Sequence, residues 1–296
     1  MRKVWLTAAA LAVAIAACGG GGDTGVPGTA ESDRLRVASF DFEESRLVAE
    51  LYAQVLEGAG FPVERLEAVG QREVVAPALE QGLVDLVPEY VGSAATHFGA
   101  ATIDAPGLAA ALAERDLEML EPAEAEDVNV FVVTETTALA GDLATLSDLS
   151  DVAAGLRIGG PVECPDRPYC LAGLHTTYGL TFAEFVAHRT LAVTAEALLR
   201  DEVDVGVMFS TAAELTSGPF VVLEDDRGLQ PPENIVPVAR RATVERWGPE
   251  FVAALDELSR ALSTTALQQM NRRVEVGAPV DDTAAAWLLS VGLPAG

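Results

Sequence analysis

Lysine, histidine and cysteine are all scarce in this chain, and no apolar run is long enough to cross a bilayer, which takes about 18 to 20 residues. Each shortage excludes something. The three histidines, His97, His175 and His188, stand apart at no ligand spacing and add nothing to Cys164 and Cys170, so no metal site is expected. There is no Gly-x-Ser-x-Gly elbow, no His-Glu-x-x-His and no phosphate-cradling Gly-x-x-x-x-Gly-Lys, so hydrolase and nucleotide chemistry lack their usual parts. Glu43-Glu44 and Asp225-Asp226 are adjacent pairs that cannot face one another across a glycosidic bond without help from the fold, and they read as exposed turn charges. Neither an enzyme nor a bound cofactor is expected.

What is present begins with an address. Arg2 and Lys3 precede an apolar run from Val4 to Ala17 that ends at Ile15-Ala16-Ala17-Cys18 and four glycines. This is the pattern of a secretory signal, residues 1–17. A cysteine directly after the cleavage site resembles the lipobox of bacterial lipoproteins, which implies lipidation of Cys18. Residues 18–33, rich in Gly, Thr and Pro, then read as a flexible tether, leaving the rest outside the cytoplasmic membrane and anchored to it.

Removing Arg2 and Lys3 leaves 17 arginines, no lysine and 45 acids, a net charge of −28. Such a surface repels phosphate backbones, which argues against nucleic-acid binding. The charge reads as solubility in a demanding exterior rather than as acids lining a pocket. Half of the residues are hydrophobic, enough for a full core over about 260 residues. Cys164 and Cys170 are separated by five residues that include Pro165 and Pro168, a loop suited to a disulfide in an exported protein.

Hydrophobic periodicity predicts strands at 35–39, 62–66 and 84–87 alternating with helices at 43–58 and 72–81. That order makes a mostly parallel sheet flanked by helices. A strand over 127–134 runs out of this unit. The pattern restarts near Leu139 with strands at 156–159, 203–209 and 220–223 and helices at 171–178 and 194–200. After a strand at 235–239, four helices (242–247, 249–262, 265–274 and 281–291) have no strands of their own and should pack on the first unit. The expectation is an α/β protein of two lobes, residues 34–136 with 237–296 and residues 137–236, joined by two crossovers near 134–140 and 232–238.

Several stretches, taken in order, resemble the glycine betaine, choline and osmoprotectant-binding proteins of ABC importers. They are Ser39-Phe40-Asp41-Phe42-Glu43-Glu44-Ser45, Gly70-Gln71-Arg72-Glu73, Asp85-Leu86-Val87-Pro88-Glu89-Tyr90-Val91-Gly92-Ser93, Tyr178-Gly179-Leu180, Phe209-Ser210-Thr211 and 267–271. The likeness spans about Leu35 to Leu293. It implies a two-lobed periplasmic-binding-protein fold of type II, a monomer that binds a quaternary amine in the interlobe cleft and passes it to a membrane permease.

By the same resemblance Tyr90 belongs to an aromatic cage, joined by motif position by Phe131 and Phe209. Ser93, Asn129, Ser210 and Thr211 are further ligand contacts by position, and Arg167 matches an arginine that grips a carboxylate. For Arg167 a solvated loop charge is the alternative. This chain departs from the family pattern at Phe40, which either adds a cage wall or fills the cleft, at Ser93 and at Ala212. Whether the solute carries a carboxylate, as glycine betaine does, or lacks one, as choline does, stays open. So do a different small solute in the same fold and a sensor with no transporter.

Overall fold

The elements follow from where the apolar stripes lie and where the chain can turn. In this computed structural model, which describes residues 33–216 and 218–296, the first half runs β1 (Leu35–Phe40), α1 (Glu43–Gly58), β2 (Val63–Gly70), α2 (Arg72–Glu80), β3 (Leu86–Tyr90), α3 (Val91–His97), α4 (Ala105–Ala113) and β4 (Leu117–Met119). The second half runs β5 (Asn129–Thr134), α5 (Glu135–Gly141), β6 (Arg157–Pro161), α6 (Leu171–Gly173), β7 (Glu184–His188), α7 (Leu191–Leu199), β8 (Val205–Phe209) and β9 (Phe220–Leu223). β10 (Ile235–Arg240), α8 (Arg241–Ala261), α9 (Thr264–Glu275) and α10 (Val280–Ser290) return to the first half. The signal sequence, Cys18 and nearly all of the tether lie outside the described residues.

α1 buries its apolar face and ends where expected, with Gly60 at φ +92 beyond it, a conformation that glycine alone adopts without strain. The helices expected at 242–247 and 249–262 are both present, adjoining as α8 across Gly248, whose non-helical φ of 76 and ψ of −166 separate them just before Pro249. The helix expected over 171–178 is a single α turn followed by a π turn, Leu174–Tyr178. α4, α5, β4 and β7 carry little periodic signal, being short, rich in small residues or at an edge, and the sequence does not predict them, whereas α3 begins where the buried strand ends at Tyr90.

Two five-stranded sheets result, ordered β2-β1-β3-β10-β4 and β7-β6-β8-β5-β9. Each is mixed. β1 is parallel to β2 and β3, and β6 to β7 and β8, whereas β10 and β5 are antiparallel to their neighbours. The reason is topological, since β10 arrives from the second half and β5 from the first, and each enters its sheet against the local strand direction. β5 pairs with β8 and β9, so it belongs to the second sheet. The lobe boundary expected after residue 136 therefore shifts: the crossing precedes β5, where Glu126 and Asn234 form an antiparallel bridge. An alternating apolar strand shows that it is half-buried but not in which sheet.

α8, α9 and α10 pack on α1, as their lack of strands implied. α9 also reaches across the crossing: the Gln268 amide donates to the Ser210 carbonyl at 2.7 Å and that of Asn271 to the Thr211 carbonyl at 3.0 Å. The first sheet shares one large core with these helices, while the second is covered on both faces, with Phe131 and Val133 in one cluster and Val132 and Met208 in the other. That division is the two-residue alternation of a strand. Cys164 and Cys170 are joined in a disulfide, Cα to Cα 5.3 Å.

Candidate functional site

The carboxyl ends of β1, β3, β6 and β8 look into a cleft between the halves, the place where open α/β sheets bind ligands. β3 is buried throughout, yet it carries Glu89, which is tolerated because Arg72 clamps it with a fork of hydrogen bonds of 2.9 to 3.1 Å. The next residue, Tyr90, ends the strand and precedes α3. Its phenol donates to Oε1 of Glu44 at 2.9 Å, and burial, followed by the Glu44 charge, raises it well above the ordinary phenol range.

The ring opposite Tyr90 is Phe42, at the N-terminus of α1. The turn before it is held by Ser45, whose Oγ accepts from the Phe40 amide at 2.9 Å, and Phe42 is left 41 % exposed. Its centroid lies 6.0 Å from that of Tyr90 with the planes tilted by 38°. Together with Phe209, 42 % exposed at the end of β8, these rings border a cavity of about 680 Å³ that takes in Ser93, Asn129 and Arg167. A second cavity of about 460 Å³ shares Phe42, Asp127 and Phe209 with the first and extends past Glu44 and Thr211.

Acids line this space, contrary to the reading of the charge as surface solubility alone. Asp127 accepts from the Thr211 hydroxyl at 3.0 Å, and burial, then the nearby Glu44 charge, pushes its carboxyl well above the usual range. Glu233 accepts from the Ser93 hydroxyl at 2.7 Å and amide at 3.0 Å, and burial raises it despite those bonds. Glu44 is buried beneath Tyr90 and also receives the Asn271 amide at 2.8 Å, so it is not an exposed turn charge. The loop carrying Arg167 is held by the Tyr169 carbonyl, which accepts from Gln230 at 2.9 Å and Asn129 at 3.3 Å. Arg167 is exposed at the mouth.

A family model described as the substrate binding domain of the ABC-type glycine betaine transport system (OpuAC) matches residues 33–290. The chain belongs to this family. Members are extracytoplasmic substrate-binding proteins of transporters rather than an enzyme family. Among curated relatives, a glycine-betaine-binding protein of Pseudomonas aeruginosa is 26 % identical over 267 residues, covering 84 % of this chain and 85 % of that one. The glycine betaine-binding protein YehZ of Escherichia coli is 26 % identical over 277 residues, covering 87 % and 90 %. The solved structure of apo YehZ from Escherichia coli has the same fold, with a TM-score of 0.77, 24 % identity and coverage of 88 % and 100 %.

Of the residues expected at the site, Tyr90, Ser93, Asn129, Arg167 and Phe209 meet around the main cavity and Thr211 lines its extension. Three lie elsewhere. Phe40 is buried behind Phe42, stacked on it at 5.8 Å and covered by the Arg72 guanidinium at 5.3 Å, so it supports the wall without forming it. Phe131 is 1 % exposed in the core of the second sheet, packed in one cluster with Val207, Cys164 and Cys170, which line the cavity where it does not. Ser210 fastens the crossing, its hydroxyl donating to the Glu126 carbonyl at 2.7 Å and accepting from the Val128 amide at 3.0 Å. Sequence reasoning missed Phe42, Glu44, Asp127 and Glu233. The signal for Phe42 was its place in the loop after β1; Asp127 and Glu233 sit on the two crossing segments, which no local motif marks.

Proposed function

We propose that the protein is the extracytoplasmic solute-binding component of an ABC importer, and that a quaternary ammonium osmoprotectant such as glycine betaine or choline binds between its halves. The observation that carries this reading is the tilted pair Phe42 and Tyr90 bordering the cleft, with buried carboxylates beside it. A trimethylammonium head donates no hydrogen bonds, so aromatic faces hold it best, each contributing about 0.5 to 2 kcal/mol once water is excluded. Phe209 gives a further face from the second half. Ser93, Asn129, Thr211 and Arg167 are the polar contacts for the rest of the solute.

Binding favours closure only through contacts made better in the closed form, which here are those that draw groups from both halves onto one solute. The loaded monomer then docks on the membrane permease, whose ATPase supplies the energy. The anchor is a lipid on Cys18; no helix among the described residues is long and apolar enough to cross a membrane. Incorporation of labelled palmitate that disappears in Cys18→Ala is the expected sign of that anchor.

Calorimetry with glycine betaine, choline, carnitine, proline and histidine tests the reading. Micromolar binding of at least one quaternary amine and none of proline or histidine is expected. Heat from proline or histidine alone would overturn it.

A further inference from the structure

Asp127 lines the wall common to both cavities, as do Phe42 and Phe209. Within the described residues, no arginine forms an ion pair with the buried Glu44 or the half-buried Asp127 and Glu233, although the buried acids Asp85, Glu50 and Glu89 each have one. Arg72 in the cleft wall donates its hydrogen bonds to Glu89, although its charge still acts on Glu233. Arg167 lies in water at the mouth. The inner cleft therefore carries carboxyls with no arginine paired to them; burial, then the Glu44 charge, raises Asp127, and burial raises Glu233 against the opposing charge of Arg72. Among the described residues no three acidic, histidine or cysteine side chains come close enough together to hold a metal ion. Carboxylates spread around aromatic rings suit a bulky organic cation instead.

We infer that the cleft selects a solute of net positive charge over a zwitterion with the same trimethylammonium head, and that Asp127 sets this preference. The inference rests on the quaternary-amine reading above. In glycine betaine the carboxylate stands one methylene from the nitrogen, so a head seated between the rings brings a second negative charge to the acid-lined wall, a juxtaposition that binding sites use to reject ligands. In choline the corresponding arm ends in a hydroxyl, which can donate to the Asp127 carboxylate in a charge-assisted bond. The Thr211 hydroxyl donates to Oδ1 of Asp127 and holds the carboxyl at the cavity wall.

The test is calorimetry on the purified full chain with choline, glycine betaine and 3,3-dimethylbutanol, the uncharged isostere of choline. Choline is expected to bind at least about tenfold more tightly than glycine betaine and about a hundredfold more tightly than the isostere. Asp127→Asn should weaken choline by about tenfold and bring the choline to betaine ratio to within about threefold. Glu233→Gln should narrow the ratio in the same direction, which keeps the test available if the first variant does not fold. Glycine betaine binding as tightly as choline, or Asp127→Asn weakening both solutes equally, overturns this inference and leaves the family reading intact. No binding of any quaternary amine overturns both.

Discussion

The phenol of Tyr90 and the carboxylate of Glu44 lie 2.9 Å apart, tying the end of β3 to the first turn of α1 across the edge of the cleft. The bond orients the ring toward Phe42 and uses one oxygen of a buried acid. Tyr90→Ala is expected to weaken binding of a quaternary amine by more than about tenfold, since a desolvated cation–π wall contributes on the order of 1 to 2 kcal/mol. Tyr90→Phe should keep most of the affinity and lose about 1 kcal/mol of stability through the unpaired Glu44 oxygen. Calorimetry and urea unfolding together separate the two effects.

Phe42 and Phe131 should respond in opposite ways. Phe42→Ala removes an exposed face and is expected to weaken binding by about three- to tenfold with little change in unfolding. Phe131→Ala opens a hole in the second core and should cost about 3 to 5 kcal/mol of stability, with the remaining folded protein binding normally. Equal effects of the two on affinity would contradict their placement.

The clamp of Arg72 on Glu89 predicts a strong asymmetry. Arg72→Met strands a buried carboxylate and should destabilise by about 3 to 5 kcal/mol, whereas Arg72→Met with Glu89→Leu should recover much of that loss, because a buried pair replaced together leaves no lone charge. The comparison is made by denaturant midpoint at constant pH.

Asp127 makes the empty protein sensitive to pH. Its carboxyl is raised by burial and then by Glu44, so between the ordinary carboxylate range near about 4 and its raised value the folded chain binds more protons than the unfolded one. Stability without ligand should therefore fall as pH rises through that window. Asp127→Asn is expected to flatten this slope and to raise the melting temperature at neutral pH by on the order of 2 to 4 °C. A slope unchanged in the variant would assign the effect to another group.

Much of this molecule is local in origin and was legible in the chain. The stripe Leu47, Leu51, Val55 dictates α1, Gly60 allows it to stop, and the short buried run ending at Tyr90 has to be a strand whose end opens on a cleft, because apolar surface must leave water wherever the chain goes next. Cysteines six positions apart in a proline-bearing loop are close under nearly any fold, so their disulfide is likewise a local matter.

The tertiary structure decided the rest. Only pairing shows that β5 enters the second sheet, that Phe131 faces a core and Phe42 a cavity, and that Glu44 lies under Tyr90, because each depends on which distant strand or helix arrives alongside. The acids are the plainest case. In sequence Glu44, Asp127 and Glu233 are three of 45 acidic residues that nothing local sets apart. Folding gathers them from α1 and the two crossing segments around one cleft beside the Phe42 and Tyr90 rings, where burial raises Asp127 and Glu233 and no arginine among the described residues pairs with any of the three.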